Sequence, residues 1–124
     1  MKVLLSIKPE YAEKIFNGEK SFEFRKTIFT DPDVDTVVVY ATMPVGKVIG
    51  EFKIADVHEG EPEDIWRKTE KKSGISSSFF SEYFLGRKRA YAIEVGETKI
   101  FDVPKTVMEI LGRSTPPQSF AYLK

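Results

Sequence analysis

The chain has 124 residues, 41% of them hydrophobic and 31% charged, with 19 basic against 19 acidic side chains and no cysteine. One domain spanning residues 1–124 is expected, large enough to bury roughly two-thirds of its unfolded surface. Disulfides and thiolate metal sites are excluded, zero net charge argues against coating of duplex DNA, and no run reaches the ~18 apolar residues of a membrane-spanning helix.

The lack of cysteine fits an expected cytoplasmic location, and Met1-Lys2 is followed by only Val3-Leu4-Leu5 before Ser6, too short an apolar core for a secretory leader. Val3 to Ile7 reads as a buried strand. Pro9 suits the first position of a helix whose Tyr11, Ala12, Ile15 and Phe16 share a face, and Asn17-Gly18 closes it. Phe22 and Phe24 then alternate with Glu23 and Arg25, which predicts a half-buried strand over about Ser21 to Ile28. Asp31-Pro32-Asp33 is a turn and Thr36 to Thr42 a central strand. The alternation around Val48, Gly50, Phe52 and Ile54 predicts another strand, with Gly50 at a bend or a close backbone approach.

Glu59-Gly60-Glu61-Pro62 opens a helical region stopped by Gly74, and Ser76 or Ser77 caps a second helix ended by Gly86. Tyr91, Ile93 and Val95 form a strand, and Lys99 to Val103 is expected to return antiparallel after a turn at Gly96. A short helix over Thr106 to Leu111 and an extended tail complete the chain. This order predicts an α+β fold, an antiparallel barrel or strongly curled sheet with flanking helices.

The chemistry concentrates in Gly18-Glu19-Lys20-Ser21-Phe22-Glu23-Phe24-Arg25. With the phenylalanines toward the core, Glu23 and Arg25 share the other face within pairing reach, and Lys20 sits where the strand leaves the turn. An amphipathic strand with a surface Glu-Arg pair, worth ~0–1 kcal/mol, is the simplest account. The same groups also suit a nucleotide: arginine forks onto phosphate or stacks on a base, lysine is a point charge for phosphate, and a carboxylate accepts from the exocyclic amine of cytosine.

Gly18, Lys20, Glu23 and Arg25 complete a G-x-K-x-x-E-x-R pattern that resembles the signature of the ASCH domain, a branch of the PUA-like superfamily. The resemblance extends to Leu5-Ser6-Ile7-Lys8-Pro9 and Thr115-Pro116-Pro117-Gln118-Ser119-Phe120, nearly the whole chain. It implies a PUA-like antiparallel β-barrel of about five to six strands with a cleft between barrel and helices. It also implies a small RNA- or nucleotide-binding module, with single-stranded RNA, a nucleotide or a nucleoside as partner and a regulatory role among those proposed for the family. Lys20, Glu23, Arg25, Lys8, Ser73, Gln118 and Ser119 are the candidate binding residues.

The alternative is an enzyme. One branch of the family is similar to an amidohydrolase that removes the acetyl group of N4-acetylcytidine with a Lys, a Thr and a Glu. The Lys falls on Lys20, the Thr position on Glu23, and the Glu position near Ser73, so two of the three groups differ. Glu23 beside Lys20 raises the lysine pKa and opposes its use as a base, while Glu23 itself can activate water. Other members are similar to ribonucleases.

Elsewhere the plainer accounts prevail. Lys8 precedes a helix start, where free N–H groups favour anions, yet a solvated lysine suffices. The stripe Phe79, Phe80, Tyr83, Phe84 has the ring faces to stack bases, yet at helical spacing it reads as core, as does nearby Trp66. Gln118-Ser119 either close over the cleft or belong to a proline-stiffened terminal strand. His58, the only histidine, reads as part of a surface turn. Neither a metal site nor a cofactor is expected, and no Walker, dinucleotide or nucleophile-elbow glycine pattern is present.

Overall fold

In a computed structural model describing residues 1–123, the apolar run near the N-terminus forms β1 (Lys2–Ile7). Both of its faces are buried, Val3, Leu5 and Ile7 on one side and Leu4 on the other. Pro9 opens α1 (Pro9–Phe16), where a missing N–H loses no helical bond. Ala12 and Ile15 face the sheet, and Gly18 turns the chain at φ 87°. There follow β2 (Phe22–Arg25), the fully buried β3 (Thr36–Ala41), β4 (Lys47–Gly60) and α2 (Pro62–Thr69). A single 3-10 turn (Glu70–Lys72) leads to α3 (Ser77–Tyr83), then β5 (Ala90–Lys105), α4 (Val107–Leu111) and β6 (Phe120–Leu123). Ser76, one of the two serines expected, caps α3 by accepting the Phe79 N–H at 3.1 Å.

The strands form one sheet in the order β2-β5-β4-β3-β1-β6. β1 and β3 run parallel, with Val3 opposite Val37 and Leu5 opposite Val39, and the other neighbours are antiparallel. The sheet is therefore mixed and open, with β2 and β6 as its edges, and the antiparallel barrel expected from the sequence is not closed. The reason is connectivity. Parallel strands require a crossover, here through α1 and β2, and that crossover leaves β2 on β5 at the far edge. Alternation along a strand sets which face is buried, not which neighbour it takes.

Three local expectations are also corrected. The motif strand is shorter than Ser21 to Ile28. Lys99 to Val103 is not a returning strand but the continuation of β5 alongside β4. Gly96 marks close backbone approach instead of a turn, since a Cβ there would meet the Lys53 carbonyl oxygen at 2.9 Å. His58 lies inside β4, not in a turn, and its Nε2 is 2.8 Å from Glu94 Oε1 on β5. Gly50 does mark a close approach: a Cβ would stand 2.5 Å from the Lys99 carbonyl and 2.8 Å from the Phe16 ring.

The core has three parts. α1 packs on the sheet around Ile15, Val37, Val39, Phe52 and Ile93. α4 covers the opposite face at Leu4, Val38, Tyr40 and Val48. α2 and α3 close over β2 and β5 through Phe24, Ile65, Phe80, Phe84, Ala90 and Ala92. This third cluster positions the motif strand, because burying Phe24 fixes the direction in which Glu23 and Arg25 point. No helix of the described residues is long and apolar enough to cross a membrane.

Candidate nucleic-acid interface

The end of β1, the start of α1, β2 and α3 surround a cleft of about 220 Å³, lined among others by Lys8, Tyr11, Lys20, Glu23, Arg25, Phe79 and Tyr83. A larger depression of about 670 Å³ between α2 and α3 contains none of the motif residues. The smaller one holds all three motif charges together with the Tyr11, Phe79 and Tyr83 rings.

Lys20 is not a strand-end surface charge. It is only 2% exposed, and its Nζ donates to the Ser73 carbonyl at 2.7 Å. The ammonium also lies 4.7 Å from the Phe24 ring centroid and 5.5 Å from that of Tyr11, within cation–π range. Burial lowers its pKa to about 8; Glu23 raises it and Lys14 lowers it further. Glu23 thus acts in the direction expected from the sequence, but desolvation outweighs it.

Glu23 and Arg25 do share a face, and Arg25 Nη1 meets Glu23 Oε2 at 3.2 Å. Their side chains are only 10% and 13% exposed respectively, so this is not the solvated surface pair of the simplest account. The guanidinium also donates to the Ser6 carbonyl at 3.3 Å and to the Ser119 carbonyl at 2.7 Å. Ser6 Oγ donates to the Pro117 carbonyl at 2.8 Å. Arg25 therefore holds together the motif strand, β1 and the C-terminal tail, and with its fork committed it stiffens Glu23.

The other expected residues separate. Lys8 is exposed at the cleft mouth, its Nζ 5.9 Å from the Phe79 ring centroid. Ser73 meets the site through its carbonyl alone; its hydroxyl donates to the Ile75 carbonyl at 3.0 Å within the turn before α3. Ser119 contributes a carbonyl to Arg25, and its Oγ is 3.5 Å from Thr27 Oγ1. Gln118 is exposed and outside the cleft lining.

The sequence reading missed Tyr11, Phe79 and Tyr83 as lining residues. It assigned all of them to core faces, yet only Phe80 and Phe84 of the α3 stripe are buried. A signal existed: four aromatics at two adjacent i,i+4 rows span a wider arc than one packed face needs. Burial raises the pKa of both tyrosines, with Glu10 adding at Tyr11 and Arg25 opposing at Tyr83.

The ASCH domain family model matches residues 5–110, and the chain belongs to the ASCH domain family. Over 123 residues it is 34% identical to the large ribosomal subunit protein uL22 of Ureaplasma parvum, covering 98% of this chain and 39% of that longer protein. It is 27% identical to an ASCH domain-containing ribonuclease of Zymomonas mobilis, covering 99% of this chain and 84% of the relative. The crystal structure of ASCH from Zymomonas mobilis superposes with a TM-score of 0.90 at 28% identity, over 99% of this chain and 87% of that one.

Proposed function

We propose that this ASCH domain binds single-stranded RNA, seating one nucleotide in the Lys20–Glu23–Arg25 cleft. The observation that supports this reading most is the convergence of a buried ammonium, a carboxylate and aromatic rings on a single 220 Å³ space. Lys20 has three N–H donors and gives one to Ser73. The others face a ligand oxygen, Glu23 accepts from a donor on the base, and Tyr11 and Phe79 offer apolar walls.

A second reading, cleavage of the bound RNA, is favoured by the likeness to the Zymomonas mobilis ribonuclease and by the lowered pKa of Lys20. In that reaction the Glu23 carboxylate takes the proton of the ribose 2′-hydroxyl as its oxygen attacks phosphorus. The bond to the 5′-oxygen breaks, and that oxygen takes a proton from the Lys20 ammonium, leaving a 2′,3′-cyclic phosphate and a 5′-hydroxyl. An acid with a pKa near the working pH suits this task. Removal of an acyl group from N4-acylated cytidine is the less supported enzyme reading, since the Thr and Glu positions carry Glu23 and Ser73.

End-labelled single-stranded RNA, incubated with wild type and with Glu23→Gln and resolved on a denaturing gel, separates these readings. Cleavage abolished in Glu23→Gln with binding retained establishes the enzyme. Intact RNA with measurable binding, modestly weakened in Glu23→Gln because an amide oxygen still accepts, establishes the module. No binding of RNA or mononucleotide removes both. Mass analysis of N4-acetylcytidine incubated in parallel checks the remaining alternative.

A further inference from the structure

α3 and its C-cap residue Phe84 carry four aromatic side chains, of which only two are fully buried. Phe80 and Phe84 are buried against Phe24, Ile65 and Trp66. Phe79 and Tyr83, one row over on the same helix, stay half-buried and open onto the cleft. Their ring planes are within 9° of parallel, with centroids 6.3 Å apart. Each is held from the side by another ring: Tyr11 lies 5.6 Å from Phe79, and Phe84 lies 4.7 Å from Tyr83. Each also has an ammonium nearby, Lys8 Nζ at 5.9 Å from the Phe79 centroid and Lys26 Nζ at 4.6 Å from that of Tyr83. Among the described residues, neither nitrogen has an ion-pair or hydrogen-bond partner.

Tyr83 packs on the edge of the α2–α3 core, but both rings of this row remain only half-buried. Two parallel, pre-held aromatic rings with an unpaired ammonium beside each are what a single strand requires: successive bases stack on the rings, and the phosphates between them draw the ammonium groups. A lone nucleoside in the cleft would leave the Tyr83 ring and the Lys26 charge unused. Zero net charge over the whole chain is compatible with this, because the attraction is local to the cleft mouth.

We propose that Phe79 and Tyr83, with Lys8 and Lys26, form a flanking subsite for the nucleotides next to the one in the cleft. The ligand is then a single-stranded oligonucleotide and not a free nucleoside or nucleotide. This rests on the cleft reading above and specifies its substrate class.

The test measures binding of a 5′-fluorescein uridine octamer by anisotropy and of uridine 5′-monophosphate by calorimetry. The proteins are wild type, Phe79→Leu, Tyr83→Leu and the double variant Lys8→Gln/Lys26→Gln, each with its melting temperature. Leucine keeps apolar volume but removes the stacking face. Tyr83→Leu is expected to bind the octamer about tenfold more weakly while its affinity for the mononucleotide changes by less than about twofold, whereas Phe79→Leu, whose ring also walls the cleft, is expected to weaken both. The double lysine variant is expected to lower the slope of log affinity against log salt by about 1.4, the contribution of two single-strand phosphates. Unchanged octamer affinity in the leucine variants, an unchanged salt slope, or equal losses for octamer and mononucleotide in Tyr83→Leu would overturn the flanking subsite and leave the cleft reading standing. Wild type that binds neither probe overturns both. If the leucine variants unfold, the double lysine variant still decides the question through the salt slope.

Discussion

Lys20 donates to the Ser73 carbonyl across 2.7 Å, joining the motif strand to the turn before α3 from 53 positions away in the chain. The bond closes one wall of the cleft, and it holds an ammonium where water is largely excluded. Both the electrostatics of the site and part of its stability follow from it.

The first consequence is a stability that rises with pH. Lys20 has a pKa of about 8 in the folded protein against 10.5 ordinarily. Between those values the unfolded chain binds more protons, so the lysine destabilises the fold fully below pH 8 and progressively less above it. From pH 7 to pH 10 the wild type should gain roughly 2–3 kcal/mol relative to Lys20→Met, measured by urea unfolding of both. A constant difference between the two curves would mean that Lys20 titrates as an exposed lysine.

The cleavage reading predicts a particular pH profile. If the Lys20 ammonium protonates the leaving oxygen, the rate should fall about tenfold per pH unit above its pKa of about 8. RNA cleaved equally fast at pH 7 and pH 10 would assign the acid to another group.

Arg25 should be needed for folding as well as for binding. Removing its side chain in Arg25→Ala leaves the buried Glu23 carboxylate unpaired and frees the tail at Ser119. A loss of about 3–5 kcal/mol is expected, as for breaking a buried pair. Arg25→Lys keeps the charge but cannot reach Glu23, Ser6 and Ser119 together, so it should lose less, roughly 1–3 kcal/mol. Chemical denaturation ranks the three proteins; equal midpoints for wild type and Arg25→Lys would show that the fork geometry is unimportant.

Gly74→Ala should perturb the site from behind. Gly74 has φ 69°, and a Cβ there would stand 2.6 Å from both Cβ and Cγ of Lys20. Backbone strain of about 1–2 kcal/mol is expected, together with a displaced Lys20. The variant should melt lower and lose RNA affinity, whereas Gly86→Ala, with φ 78° and open space around it, should show the strain without the binding loss.

Much of the fold was legible along the chain because it is local. Pro9 and Gly18 bracket α1, Ser76 caps α3, and the Phe22/Phe24 alternation names a strand whose phenylalanines face the core; each depends on a few neighbouring residues. The Glu23 and Arg25 spacing likewise determined which charges share one face of β2, with Lys20 just ahead of it. Tertiary structure decided what spacing cannot carry. It sent β1 and β3 into parallel pairing and left β2 at an open edge, because partner choice follows from crossovers spanning many residues. It also turned an apparently solvated Lys20 into a buried group with a pKa of about 8. That change requires the Ser73 turn and the Tyr11 and Phe24 rings to arrive from separate parts of the chain. It split the α3 aromatics as well, because only the packed α2 and β2 surfaces determine which row is covered and which is left facing the cleft.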